Sequence, residues 1–195
     1  MTDLTFTTDR NAFLTWFTNS PVWDCFSHVA GIDPGLSTPT GVVKLDSDGI
    51  VSATVFRQKH GATLEERVSR LADNVAVEAC HGILSVPPPL PLACVENNHV
   101  TGGRSALSAL TQRELIGCIG AKLWVQGALQ IIRTTPSAGK KILAGNGRAE
   151  KADMVEAYLD FPACGNTPMK KKELEAVADA LAAALVGMKK WEAER

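Results

Sequence analysis

The spacing of hydrophobic and polar residues divides the chain into helical and extended segments. Apolar residues at helical spacing predict helices over residues 8–18, 62–83, 104–127, 149–159 and 171–189. Short apolar or alternating runs predict strands over residues 28–33, 40–46, 49–56, 92–96 and 129–134. The Asp-Ser-Asp-Gly sequence at 46–49 is a hairpin turn between the second and third runs. Three adjacent antiparallel strands followed by strands that alternate with helices indicate a mixed α/β layer architecture.

Composition is that of an ordinary folded protein. The chain has 195 residues, of which 45% are hydrophobic and 21% charged, so we expect one domain with a substantial core. No run approaches the roughly 18 apolar residues of a membrane helix, and residues 1–20 lack the features of a targeting peptide. The five cysteines are odd in number and widely spaced, which favours a reducing compartment. We therefore expect a cytoplasmic protein that does not contact a membrane.

Positive charge is concentrated in one part of the chain. The formal net charge is −1, which gives no overall attraction for a polyanion. Residues 133–172, however, hold eight basic side chains against four acidic ones. This segment is either a solvated face or a contact for a polyanion such as nucleic acid.

Two carboxylates stand at the ends of predicted strands. Asp33 closes the first strand at a Pro-Gly turn, where an Asp often only caps the turn. Glu96 closes the fourth strand after an apolar run, so it needs a cation or a hydrogen-bond donor as partner. If the first and fourth strands are neighbours, both carboxylates reach the same end of the sheet.

Two further carboxylates lie in the last predicted helix. Glu175 and Asp179 are four residues apart and share one helix face, which is either solvated or functional. Four acids from three elements that converge on one end of the sheet would form a divalent-cation site with oxygen ligands. The histidines show no zinc-ligand spacing, so a hard cation such as Mg²⁺ is preferred.

Four motifs, taken in order, resemble those of a known nuclease family. They are the strand-turn GIDPG at 31–35, the apolar strand that ends in Glu96 before a long helix, Lys140 followed by GNGRAEK at 145–151, and the closing helix ELEAVADALAAAL at 173–185. Together they resemble RuvC-type Holliday junction resolvases of the ribonuclease H-like superfamily. Actin-like ATPases begin with a similar Asp-Gly turn, but 195 residues leave no room for their second domain.

The resemblance implies a fold and a site. It implies a ribonuclease H-like mixed five-stranded sheet, with three antiparallel strands and then parallel ones, flanked by helices. The nuclease domain would span residues 28–190, after an N-terminal extension over 1–27 with a short helix. The resemblance further implies two Mg²⁺ ions per active site, replaceable by Mn²⁺, and a DNA-binding surface. The metal-binding catalytic residues would be Asp33, Glu96, Glu175 and Asp179, and the DNA contacts would be Lys140, Lys141, Arg148, Lys151 and His99.

Two positions depart from the family pattern. The family places its third carboxylate where this chain has Ala176, so Glu175, one residue earlier on the same helix face, is taken as the substitute. His99 stands three residues after Glu96, where the bacterial enzymes commonly carry an aromatic residue that probes the junction. An imidazole can also stack on a base. These departures suit a divergent, bacteriophage-type member.

The implied function is structure-selective cleavage of DNA in recombination and repair. The chain would be a Mg²⁺-dependent endonuclease that resolves Holliday junctions and other branched DNA in the cytoplasm of a bacterium or a phage-infected host. Symmetric cutting of a four-way junction implies a homodimer, with the apolar helix 104–127 as candidate interface. Core packing explains the composition of that helix equally well. The alternatives are a non-catalytic protein that binds branched DNA and a related nuclease that processes RNA.

Overall fold

A single mixed sheet organises the part of the chain that the computed structural model describes, which is residues 5–57, 63–81, 90–97, 106–162 and 168–195. Its strands are β1 (Val29–Asp33), β2 (Thr40–Asp46), β3 (Gly49–Phe56), β4 (Leu92–Glu96) and β5 (Gln130–Thr134). The helices are α1 (Arg10–Thr18), α2 (Val22–Cys25), α3 (Leu64–Cys80), α4 (Ala106–Val125), α5 (Pro136–Ala144), α6 (Lys151–Asp160) and α7 (Lys171–Ala193).

The strands lie in the order β3-β2-β1-β4-β5. β1, β2 and β3 pair antiparallel, whereas β4 runs parallel to β1 and β5 runs parallel to β4. This confirms the predicted mixed five-stranded α/β sheet. Because β1, β4 and β5 run in the same direction, their carboxyl ends meet at one edge of the sheet, where ligand sites of α/β proteins commonly lie.

Helix α7 crosses one face of the sheet and touches every strand. Glycines in the sheet permit this close approach. A Cβ atom at Gly31 of β1 would lie 1.9 Å from the carbonyl oxygen of Ala180, and one at Gly41 of β2 would lie 2.3 Å from that of Ala176. Since no side chain fits in these gaps, the backbone of α7 rests directly on β1 and β2.

Helices α3 and α4 cover the opposite face. They pack onto Ala30, Ile32 and Val95, while the alternate strand residues face α7. Thr63 and Glu66 form a capping box that starts α3. Among the helices that the structure describes, none is long and apolar enough to cross a bilayer.

The N-terminal residues pack against the α7 side of the core. Phe6, Phe13 and Phe17 are buried, and the rings of Phe6 and Phe17 each lie 5.3 Å from that of Phe161, centroid to centroid. Trp16 Nε1 donates a hydrogen bond of 2.8 Å to Glu192 near the end of α7. Residues 1–27, expected to be an extension, therefore include described residues that share the hydrophobic core of the sheet and α7.

Two helices were not predicted. α2 has only four residues, which is too short for a periodic pattern. α5 has nine, and its signals are terminal: Pro136 occupies the first turn, and Gly145 ends the helix with φ of 76°. This missed helix matters because it carries Lys140 and Lys141.

Candidate active site

Asp33 and Glu96 stand side by side at the carboxyl edge of the sheet. β1 and β4 are parallel neighbours in which Ile32 pairs with Val95, so the next residue of each strand reaches the same edge. The neighbouring placement expected from the sequence is therefore confirmed. Glu96 is buried, with 5% of its surface exposed, at the end of a strand that is buried throughout.

The turn after Asp33 is held from two sides. Thr40 Oγ1 accepts a hydrogen bond from the backbone NH of Gly35 and donates one to its carbonyl oxygen, both 2.9 Å long. Gln112 of α4 donates from Nε2 to the carbonyl oxygen of Pro34. These bonds give Asp33 a defined position, and the role of Gln112 was not visible in the sequence.

Helix α7 brings the other two carboxylates to the same place. In its first turn, Glu173 Oε2 accepts a hydrogen bond of 2.7 Å from the backbone NH of Lys170. Glu175 and Asp179 follow one turn apart, and Ala176 between them packs over Gly41 of β2. The tight contact of α7 with the sheet therefore determines how near its carboxylates come to those of β1 and β4.

All four carboxylates line one cavity of about 390 Å³. Its wall also includes the Pro34–Pro39 turn and Gln112. Three basic side chains complete the lining, which are those of Lys140 from α5, Lys151 from α6 and Lys172 from α7. Four acidic groups and three basic groups thus face one another across a single space.

Burial and crowding change the acidity of the carboxyl groups. The pKa of Asp33 is raised to about 7, first by burial and then by the negative charge of Asp179, against the opposing charge of Lys151. Burial also raises the pKa of Asp179, although Lys151 and Lys140 both oppose this change. The cavity therefore holds more negative charge than its surroundings stabilise, a condition that favours cation binding.

An ammonium group already contacts this cluster. Lys151 Nζ donates a hydrogen bond to Asp179 Oδ2. Burial lowers the pKa of Lys151, but the negative charges of Asp179, Asp33 and Glu96 outweigh it and the pKa is raised. Lys151 therefore lies within the field of three of the four carboxylates.

The carboxylates suit a hard cation in chemistry but do not form a finished ligand group. Carboxylate oxygens are the donors that Mg²⁺ and Mn²⁺ prefer. Within the described parts of the chain, no group of three or more Asp, Glu, His or Cys side chains is arranged to hold a metal ion. The hydrogen bond from Lys151 engages one of the four acids, Asp179, for which the ammonium serves as counter-ion.

The other predicted DNA contacts are distributed differently. Lys140 lines the cavity, whereas Lys141, the next residue of α5, lines a separate cavity beside the end of α7. Arg148 is exposed in a turn where Asn146 Oδ1 accepts a hydrogen bond from its backbone NH. His99 lies outside the described residues. Lys172 and Gln112 line the cavity without having been predicted.

Comparison with known proteins yields similarity in structure but not in sequence. No protein-family model matches the chain. No curated protein matches it either. The structure of Thermus thermophilus RuvC matches with a TM-score of 0.62 and 22% identity over 85% of this chain and 96% of that one.

The same bacterial protein in complex with a Holliday junction substrate gives a TM-score of 0.61 and 23% identity, over 82% of this chain and 91% of that one. The agreement covers more than four fifths of this chain and more than nine tenths of the RuvC chain, so it concerns the architecture and not a single motif. The strand order and the flanking helices described above are consistent with this match. The chain therefore has the fold of RuvC, as its four motifs predicted.

Proposed function

We propose that this protein is a metal-dependent endonuclease that cuts four-way junctions and other branched DNA. The observation that carries the proposal is the cavity at the carboxyl edge of the sheet, where four carboxylates from three elements face three lysines. The fold supports it, because a protein of the same fold has been solved in complex with a Holliday junction substrate.

The four carboxylates are the proposed ligands of two Mg²⁺ ions, which Mn²⁺ would replace. Asp33 and Glu96 come from the sheet, and Glu175 and Asp179 come from α7. When bound, such ions activate water for attack on a phosphodiester and stabilise the leaving oxygen. The protein itself supplies the rigid turn behind Asp33 and the close packing of α7, so the acids are positioned before substrate arrives.

The lysines of the cavity are the proposed phosphate ligands. Lys140 and Lys172 enter from two helices and place positive charge where a phosphodiester must lie to reach the carboxylates. Lys151 has two roles in this proposal. It neutralises the acids when no divalent cation is bound, and it turns to the phosphate when one is.

Arg148, Lys141 and His99 extend the proposed DNA surface beyond the cavity. Arg148 is exposed and Lys141 lies on the next position of α5 after Lys140. Contacts of this kind go to the sugar-phosphate backbone and carry no base sequence, which suits an enzyme selective for DNA shape. His99 is proposed to stack on a base near the junction centre.

A homodimer would provide the two active sites that symmetric cutting requires. Support comes from the apolar residues at the end of α4. Trp124 is 66% exposed and Val125 79%, and Leu129 in the following turn is 51% exposed. Large exposed apolar groups so close together are typical of an interaction surface.

The test is cleavage of a labelled synthetic four-way junction beside flap, fork, linear duplex and RNA hairpin controls, in Mg²⁺ and in EDTA. We expect Mg²⁺-dependent cutting of the junction that Asp33→Asn abolishes with junction binding nearly intact, because the change removes a proposed metal ligand and no phosphate contact. Asp24→Asn, an exposed Asp on α2, is the matched control. Full activity of Asp33→Asn, or cutting in EDTA, would overturn the proposal.

A non-catalytic protein that binds branched DNA is the second candidate. It is favoured by Ala176, which offers no ligand at the usual family position, and by the bond between Lys151 and Asp179. Tight junction binding without cleavage in either Mg²⁺ or Mn²⁺ would select it over the nuclease.

A further inference from the structure

A second cavity, of about 330 Å³, lies beside the carboxyl edge of the sheet. We call it the arginine cavity, and its lining residues are Asn97, Arg113, Ile116, Gly117 and Arg133. It shares no lining residue with the carboxylate cavity. Asn97 directly follows Glu96, and Arg113 directly follows Gln112, so each of these two pairs contributes one residue to each cavity. The two cavities are therefore immediate neighbours.

Arg133 is held in place by its surroundings. It lies on β5, the edge strand of the sheet, and its Nη2 is 3.5 Å from the carbonyl oxygen of Ile116 on α4. Its own carbonyl oxygen accepts a hydrogen bond of 2.7 Å from Lys190 on the other side of the sheet. The guanidinium thus sits against α4, on a residue that is exposed.

The two arginines have no acidic counterpart in the described structure. Among the described residues, no carboxylate lines the arginine cavity. None of the ion pairs among the described residues involves Arg113 or Arg133. Two guanidinium groups therefore bring positive charge to one space, and a bound anion would accept charge-assisted hydrogen bonds from them.

Gly117 leaves room for such an anion. A Cβ atom added to this helical glycine would meet no atom within 4 Å, so the space beside α4 is open at this position of the cavity. Arginine binds phosphate with paired N–H donors in a planar fork, and the Asn97 side chain offers a further donor. The chemistry of the cavity is therefore that of a phosphate site.

We infer that the arginine cavity binds a backbone phosphate of the DNA strand that passes the carboxylate cavity. The inference rests on the proposed function and extends it to a surface that the four motifs do not include. Because the cavities adjoin through consecutive residues, one strand, which carries a phosphate at every nucleotide, engages both. DNA would then run from the α7 side of the edge, past Glu96, toward β5 and α4.

The variants separate charge from shape. Arg113→Gln and Arg133→Gln each remove one cation, and Gly117→Glu adds a carboxylate that pairs with both arginines in the free protein. Gly117→Ala is the matched control, because it changes the same residue and leaves the cavity open. Arg70→Gln on α3 is the control for loss of an exposed arginine elsewhere.

The measurement is fluorescence anisotropy of a labelled four-way junction at several salt concentrations, in EDTA so that no cleavage occurs. Each arginine variant should weaken binding about fivefold and lower the slope of log K against log salt by about one, the value for one lost phosphate contact. Gly117→Glu should weaken binding at least as much. Gly117→Ala and Arg70→Gln should bind as the unmodified protein does. Thermal melting checks that every variant is folded.

Three outcomes would overturn the inference. Unchanged affinity and salt slope in both arginine variants would show that DNA does not reach the cavity. If inorganic phosphate raises the melting temperature of the unmodified protein but not that of Arg113→Gln, while the salt slope of DNA binding is unchanged, the cavity is a site for free phosphate. A change in the oligomeric state of Gly117→Glu in solution, again with an unchanged salt slope in the arginine variants, would identify the cavity as an interface between copies of the chain.

Cleavage by the unmodified protein in Mg²⁺ is measured in parallel. Reduced salt slopes without any cleavage would disprove the nuclease and leave the phosphate site standing. Cleavage with unchanged salt slopes would support the nuclease and disprove the phosphate site.

Discussion

At the scale of single residues, Lys151 is the least expected feature of the cavity. The motif that contains it implies a phosphate contact, yet in the structure its ammonium is bonded to Asp179 within the field of Asp33 and Glu96. An ammonium and a divalent cation compete for the same carboxylates. We therefore propose that Lys151 acts on metal binding as well as on DNA.

Lys151→Met should separate these two effects. Without the ammonium, the carboxylates should bind Mn²⁺ about fivefold more tightly, which corresponds to the loss of one partly exposed ion pair. Cleavage at saturating metal should fall, because the phosphate loses a cation. Isothermal titration with Mn²⁺ measures the first effect and single-turnover cleavage the second. Lys172→Met removes a charge from the same cavity without breaking that bond, and equal metal affinities in the two variants would contradict the competition.

Glu175 is proposed as the substitute for the acid that Ala176 does not supply. Glu175→Gln should raise the Mg²⁺ concentration needed for half-maximal cleavage and lower the maximal rate, because it removes one proposed ligand. The double change Glu175→Ala with Ala176→Asp should recover part of the activity by restoring the family register. A fully active Glu175→Gln protein would leave a site of three carboxylates.

The raised pKa of Asp33 predicts how stability depends on pH. A carboxyl group whose pKa is higher in the folded state holds its proton more tightly there, so stability falls as pH rises from about 4, the unfolded value, to about 7. Melting temperatures in EDTA between pH 4 and 8 measure this fall. Asp33→Asn should make the fall shallower, with the remainder due to Asp179, whose pKa is also raised, whereas Asp24→Asn should leave the curve as it is. The same pH slope in Asp33→Asn and the unmodified protein would show that Asp33 does not cause it.

At the scale of elements, a helix or strand could be predicted where its own residues carry a clear hydrophobic pattern. The bounds of β2, β3 and β4 agree with the sequence patterns, because each strand is a short apolar or alternating run between turn residues. Helix α5 was not predicted, because its sequence signals are only the proline in its first turn and the glycine that ends it. The four carboxylates were named from strand ends and a helix face, and the structure brings them into one cavity.

Contacts between distant parts of the chain could not be predicted in this way. Lys151 and Asp179 are 28 residues apart, and Gln112 and Pro34 are 78 apart. Nothing near either residue in the sequence marks its partner. The arginine cavity is of the same kind, since Arg113 belongs to a helix and Arg133 to a strand.

The contact of α7 with the sheet predicts a strong effect of one methyl group. Gly31→Ala places a Cβ atom against the backbone of Ala180, so α7 must shift or β1 must bend. We expect a loss of about 3 kcal/mol in the free energy of unfolding, the upper range for overpacking. Urea denaturation measures it. Gly117→Ala, which adds the same methyl group into open space, should gain about 0.5–1 kcal/mol, and equal stabilities would contradict the tight contact.

At the scale of the whole molecule, the proposed active site and the exposed apolar residues lie at opposite ends of the sheet. Asp33 and Glu96 end their strands, whereas Trp124 and Leu129 lie at the turn that leads into β5. An interface at the second end would leave both carboxylate cavities of a dimer open to DNA.

Trp124→Glu tests this interface. It places a charge in the exposed apolar patch without disturbing the core, since the indole is 66% exposed. Sedimentation velocity should show a dimer for the unmodified protein and a monomer for the variant. Ser69→Glu, which adds the same charge at an exposed position of α3, is the control. If the unmodified protein sediments as a monomer, as Trp124→Glu does, the proposed dimer is disproved.

The order in which the chain is synthesised gives the crossing of α7 a further consequence. The sheet and its two strand-end acids are made first, and one face of the sheet stays uncovered until residues 171–193 follow. Nascent chains fold from the N-terminal side as they emerge, so the hydrophobic cover and the last two carboxylates arrive together. A chain interrupted before α7 thus lacks half of the proposed ligand set as well as the core on that face of the sheet, and incomplete products of translation do not carry the assembled proposed site.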